Sequence, residues 1–334
     1  MQLDLNPIIA KVRATIENHK LPQEGAFARY LWQNEKGNRK LGVNEYGCAD
    51  AANIRYIIGD LPRDARARLA CVNVLQAFQN PETGMFWEPT HHTLHCTAHC
   101  TAALELFDVR PLYEMKGLDA YRTKEGLYAL LGGLRWETDP WRDSHEGAGT
   151  FASMILSGGA TRAWQDDYFA WLDAHVDPEY GMSVAGSIQT GKAPLNHHLN
   201  GWFHYMFNYL FARHPFPHAE RLIDTCIFMR QNNELGNSFG HYVGFAEVDW
   251  VFALNRAVTQ TGYRFAESKA LLREFAAEYV AFLDAVDMNT HDLWNDLHSL
   301  FGAMCALAEL QIALPGELRS DYPLRQVLDR RPFI

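Results

Sequence analysis

His91-His92-Thr93-Leu94-His95-Cys96-Thr97-Ala98-His99-Cys100-Thr101-Ala102-Ala103-Leu104-Glu105-Leu106-Phe107 is the stretch from which the rest of the chain is read. Leu94, Ala98, Ala102 and Leu106 recur at helical spacing, and small residues such as Ala103 allow a second helix to approach closely. The stretch follows Gln79-Asn80-Pro81-Glu82-Thr83-Gly84-Met85-Phe86, where Asn-Pro starts a turn and Gly84 supplies a positive φ. Upstream, residues 63–79 read as a more charged helix. The unit is therefore a polar helix, a Gly- and Pro-containing turn, and an apolar helix whose first turn is crowded with His and Cys.

The same unit restarts about every fifty residues. The other apolar helices open on Asn44-Glu45-Tyr46-Gly47-Cys48-Ala49-Asp50, Ser144-His145-Glu146-Gly147, Asn196-His197-His198-Leu199-Asn200, Glu247-Val248-Asp249-Trp250 and His291-Asp292-Leu293-Trp294-Asn295-Asp296. The spacing predicts outer helices over 7–19, 63–79, 124–136, 161–174, 218–231 and 265–286. Inner helices are expected over 48–58, 93–107, 147–156, 198–211, 248–261 and 292–310. Short extended pieces are expected near 182–188 and 239–245. A two-helix unit cannot bury its apolar face alone, so consecutive units must stack. Six such units predict an all-α chain, residues 1–334 forming one (α/α)6 toroid whose inner helices line a central funnel. The competing arrangement is an open solenoid of the HEAT type, which has little reason to gather His and Asp at one end of every inner helix.

An apolar content of 48% is ample for a buried core. The net charge of −10, with Lys and Arg scattered, is the wrong footprint for a nucleic-acid backbone or an anionic membrane. No stretch has the length and apolarity of a membrane span. The first twenty residues read as an amphipathic helix, without the apolar core and cleavage site of a secretion signal, so a cytoplasmic location is expected. In that compartment six cysteines are expected to be reduced, with Cys71, Cys226 and Cys305 in the core.

The polar openings are the candidate active site. Asp50, Glu146, Asp249 and Asp292 supply carboxylates from different hairpins, while His95, His145 and His198 supply imidazoles. General acid–base chemistry needs one group of either kind to give a proton and one to take it, with pKa values set apart by their surroundings. Cys96 is a further candidate, as a nucleophile activated by a neighbouring imidazole. Tyr46, Cys48, Trp87, His92, His197, Trp202, Tyr242, Trp250 and His291 are the candidate substrate-binding residues. Flat aromatic faces suit sugar rings and also stabilise carbocations. Ser144, Asn196 and Asp292 also fit as simple helix caps. No cofactor is expected. The one metal reading places zinc on a helical row, His91, His95 and His99 or the adjacent His92, Cys96 and Cys100, whose neighbours lie about 5–6 Å apart.

The turn at Leu75 to Phe86, with Gln79 and Gly84-Met85-Phe86 ahead of an Ala-rich helix, resembles the repeat of the (α/α)6 toroid superfamily. Terpenoid cyclases, protein prenyltransferases and the six-hairpin glycosidases and lyases share that architecture. The resemblance implies a small-molecule enzyme, first of all a carbohydrate-active one of glycoside hydrolase or epimerase type. An isoprenoid cyclase or a dehydratase-isomerase similar to linalool dehydratase is the alternative, with a cavity of Cys48, Cys96, His95, Asp50 and Tyr46. The Asp-x-Asp-Asp motif of class II cyclases is absent. A third reading is a polysaccharide lyase, since Asn196-His197-His198 is similar to the Asn-His segment of toroidal polyuronate lyases. Their substrates call for Arg or Lys in the cleft, which the inner-helix openings almost lack.

Overall fold

The computed structural model describes residues 2–241 and 244–334 and is almost wholly helical. In chain order the helices are α1 (Asn6–His19), α2 (Glu45–Ile57), α3 (Ala65–Ala77), α4 (Thr93–Glu105), α5 (Lys124–Gly133), α6 (Pro140–Leu156), α7 (Arg162–His175), α8 (Leu195–Ala212), α9 (Ala219–Gln231), α10 (Ala246–Thr261), α11 (Phe265–Ala285), α12 (Asp292–Asn295) and α13 (Leu297–Ala313). Two-residue strands, β1 (Leu3–Asp4) and β2 (Leu318–Arg319), pair in parallel. Odd-numbered helices through α11 carry one buried stripe each, as an amphipathic surface helix does. Helices α2, α4, α6, α8, α10 and α13 are buried over most of their length.

Among these buried helices the contacts run α2 to α4, α4 to α6, α6 to α8, α8 to α10, α10 to α13, and α13 to α2. Small residues let the neighbours approach. A Cβ added to Gly149 of α6 would sit 3.0 Å from the Leu94 carbonyl of α4, and one added to Gly201 of α8 would sit 2.6 Å from the Pro140 oxygen of α6. No described helix is long and apolar enough to cross a membrane.

Local boundaries differ from expectation where side chains intervene. Helix α6 starts seven residues before the expected Gly147 because Pro140 occupies a first-turn position, where its missing N–H costs nothing. Ser144 therefore lies inside the helix and caps nothing. Asn196 likewise sits in the first turn of α8, after Pro194. The expected single helix over 292–310 is divided at Asp296, whose side chain accepts from the His298 amide (3.0 Å) and is held by Arg29 (2.9 Å). His291, not Asp292, caps α12 by accepting from the Leu293 amide at 3.1 Å. The extended piece near 182–188 reduces to a bridge between Val176 and Val184, and the one over 239–245 includes positions outside the described residues.

Beyond α13 the chain turns back into the interior. A 3₁₀ turn, Val327–Asp329, packs on α2 and α8. Arg331 is fully buried and donates to the Asn53 side chain and the Ala102 carbonyl. Phe333 lies edge-on to His95 (4.8 Å between centroids) and to Phe207 (5.5 Å). This returning segment therefore packs against α2, α4 and α8.

Gly201→Ala is expected to force α6 and α8 apart and to destabilise the protein by about 1–3 kcal/mol, the usual range for overpacking. Thermal unfolding of this variant against an exposed control, Gly132→Ala, whose Cβ meets nothing within 4 Å, checks the effect.

Candidate functional site

Residues of α4, α6, α8 and α13, with segments next to them and the end of the chain, enclose a cavity of about 220 Å³ lined by His91, His95, Asp139, Trp141, Arg142, His145, His197, His204, Phe245, His298 and Ile334. His92 starts α4 by accepting from the Leu94 amide at 3.3 Å, which leaves His91 just outside the helix and His95 one turn inside it. The i, i+4 spacing then stacks the rings, with the His91 and His95 centroids 4.9 Å apart. Tyr46 from α2 stacks on His91 and His99, both at 4.4 Å, and its hydroxyl bonds Nδ1 of His95.

Behind this layer lies Asp50, with no exposed surface. His99 Nε2 is 2.9 Å from one of its oxygens, and His298 Nδ1 is 3.3 and 3.2 Å from the two. Burial alone would raise the Asp50 carboxyl, but the His298 and His99 rings outweigh it and hold the group well below the ordinary carboxylate range. His298 thus has its Nδ1 side fixed by a carboxylate while its ring lines the cavity. His91 has a similar backing: its Nδ1 is 2.7 Å from Thr90 Oγ1 and 3.7 Å from Glu88. The His91 and His298 rings are 5.1 Å apart, edge to face.

A second group comprises His95, His145 and His204, from α4, α6 and α8, with one ring nitrogen of each within 4.8 Å of the others. Ser144 Oγ donates to the Trp141 carbonyl and contacts His204 Nδ1 at 2.7 Å. Burial, then mutual repulsion among the rings, holds His95 and His145 well below the usual imidazole value, and burial with His298 takes His204 down to about 3. These three imidazoles are neutral at physiological pH, as metal ligation or proton abstraction requires. Asp50, His99 and His298 form another such group, with ligand atoms within 4.8 Å of one another, in which the two rings stand 2.9–3.3 Å from the carboxylate.

Of the candidates from sequence, His95, His145 and His197 line the cavity, and Asp50 and Tyr46 lie directly behind that lining. Glu146 is half-buried, 3.7 Å from His92 Nε2. Cys96 is buried against the Glu88 and His91 carbonyls, and Cys48 against the Phe27 backbone. Burial pushes the Cys48 thiol up to about 12 and the Cys96 thiol higher, so neither is a ready thiolate. All six cysteines are free and buried.

The others lie apart from the cavity lining. His198 bonds Ser183 at 2.9 Å, and Asp292 is held on the surface by Arg39 at 2.9 Å. His291 caps α12 and meets Phe282 edge-on. Trp87 is 63% exposed. Trp202 packs on Tyr205 within the core, while Trp250 donates to the Cys226 carbonyl at 2.9 Å. Tyr242 lies outside the described residues. Asp249 is buried beside Asn200; burial, then the nearby Glu247, keeps its carboxyl well above the usual range.

Six lining residues, Asp139, Arg142, His204, Phe245, His298 and Ile334, were not singled out from sequence. His204 was readable, because it follows His197 by seven residues and so shares its helix face. His298 was not, because the break at Asp296 resets the helical phase between it and His291. No known protein family, curated protein or solved structure matches the chain.

Glu247 is 1% exposed and accepts from the Gly240 amide at 3.0 Å; burial raises its carboxyl from 4.5 to about 7. Between those values the folded state holds a proton that the unfolded state releases, so the stability this carboxyl contributes is greatest below pH 4.5 and is lost as pH rises through 7. The loss is on the order of 3 kcal/mol. Glu247→Gln, which keeps the acceptor, is expected to flatten the fall in Tm between pH 5 and pH 8, as calorimetry at both pH values would show.

Proposed function

We propose that the protein is a carbohydrate-active enzyme built as an (α/α)6 toroid, and that it isomerises or epimerises a free sugar by proton transfer between imidazoles. The cyclic order of contacts among the buried helices supports the architecture. One observation carries the chemistry: His298 lines the cavity while Asp50 holds its Nδ1, leaving Nε2 to exchange a proton. His91, backed by Glu88 and Thr90, is the second proton carrier. Moving a proton between carbon and oxygen next to a carbonyl asks for one base and one acid, both of which imidazoles provide. Glycoside hydrolysis asks for two carboxylates across the bond. Asp139 is the one carboxylate among the described lining residues, so epimerisation or isomerisation is favoured over hydrolysis. The isoprenoid reading is weakened by the burial of Cys48 and Cys96 away from the cavity.

In this mechanism Trp141 offers a flat face, Arg142 binds an anionic or enolate oxygen, and His298 takes the proton from carbon. Asp50 is a positioning residue: it fixes the tautomer and orientation of His298 without touching substrate. Arg142 also gives the lyase reading, beside His197, a cation of the kind that the inner-helix openings almost lack. Both reactions begin with abstraction of a proton next to a carbonyl or carboxylate.

The test is incubation with a panel of free aldoses, ketoses and uronate oligosaccharides in D₂O, followed by proton NMR. Deuterium incorporation at the carbon next to the carbonyl is expected, falling by about 10²–10⁴-fold in His298→Asn. Asp50→Asn is expected to lower kcat and shift its pH profile while KM changes little. An unsaturated uronate product would favour the lyase. Release of reducing ends without deuterium exchange would overturn the isomerase in favour of a hydrolase, and inertness toward the whole panel would remove the sugar.

A further inference from the structure

We infer that His95, His145 and His204 hold one zinc ion, with its fourth coordination position open to the cavity. Three features of the geometry lead there. First, one nitrogen of each ring lies within 4.8 Å of the others. A tetrahedral zinc with Zn–N of about 2.1 Å needs edges of about 3.4 Å, so modest ring rotations close the site. Secondly, the rings come from three helices, α4, α6 and α8, and no hydrogen bond joins them to one another among the described residues. Packing alone gives no reason to press three polar edges together.

Thirdly, two of the rings are oriented from behind, as ligating histidines are. Ser144 Oγ spends its proton on the Trp141 carbonyl, so it must accept from His204 Nδ1–H. The proton of His204 is thereby placed on Nδ1 and the lone pair on Nε2. Tyr46 Oη sits on Nδ1 of His95 and so fixes the orientation of that ring.

The donor set selects the metal. Three imidazoles, without thiolate or bridging carboxylate, suit zinc among the abundant divalent ions, and magnesium and calcium prefer oxygen. Cys96 and Cys100 do not compete, because their sulfurs face backbone carbonyls. The site differs from the row of one helix that the sequence offered, since a single helix supplies only His95. An open fourth position polarises a carbonyl oxygen or a bound water. That use rests on the reaction proposed above, whereas the ion's occupancy does not.

The full chain, stripped with a chelator and shown to be folded by circular dichroism, is titrated with Zn²⁺ and with Co²⁺. One equivalent is expected to bind with a Kd at or below about 1 µM, and Co²⁺ is expected to give the intense visible bands of four-coordination. His145→Ala and the more conservative His204→Gln are each expected to weaken binding by at least about 100-fold. Ser144→Ala, which removes only the orienting partner, should weaken it by about 10-fold. His197→Ala, in the same cavity wall, should keep full stoichiometry. Absence of stoichiometric binding by the folded wild type would overturn the site, as would undiminished binding by a folded His145→Ala/His204→Gln double variant. Metal stoichiometry and sugar exchange are measured separately, so either proposal fails without carrying the other with it.

Discussion

An ionised carboxylate with no contact with water, Asp50, is the constraint on which the centre of the molecule depends. Taking such a charge out of water costs several kcal/mol unless partners repay it. The partners come from elsewhere in the chain: His99 stands on α4 and His298 on α13, so one carboxylate on α2 draws together the first, second and last buried helices. Further bonds follow the same seam. His19 reaches the Trp294 carbonyl at 3.0 Å, and Arg29 pairs with Asp296. The contact between the two ends of the helical series is therefore specified by polar groups that have nowhere else to go.

The same seam explains why the cavity is made of imidazoles. Asp50 fixes His298, Tyr46 fixes His95, and Ser144 fixes His204. Each ring then shows the cavity an edge whose direction was settled by a group behind it. Burial, then crowding, holds His95, His145 and His204 below the usual imidazole value, and neutral imidazole serves both proton transfer and metal ligation. The floor is equally determined. Arg331 is tied to Asn53 and to the Ala102 carbonyl, and just beyond it Phe333 meets His95 edge-on while Ile334 lines the cavity.

Carboxylates that looked interchangeable along the chain have separate fates. Asp50 is ionised and paired, Asp249 and Glu247 are buried with raised carboxyls, and Asp292 is paired with Arg39 at the surface. Position at a helix start is shared by all of them, but their chemistry follows from what packs opposite. Trp202 and Trp250 make the same point. Each follows a polar opening by a few residues, which suggested a face turned toward substrate, yet both rings turn into the helix-to-helix core.

The helical hairpins, their order and most of their limits were legible in the sequence, because amphipathic periodicity and Gly or Pro punctuation are local properties of the chain. The helix starts were also marked as the place where polar chemistry collects, and His95, His145 and His197 were named there. Tertiary structure alone decided which imidazoles meet. His204 was readable from its seven-residue spacing, but it was the break at Asp296 that turned His298 inward. The returning segment around Arg331 carried no periodic signal at all. A ligand set assembled from α4, α6 and α8 joins residues 50 to 109 positions apart along the chain, and the distances between them are set by packing, which no local pattern encodes.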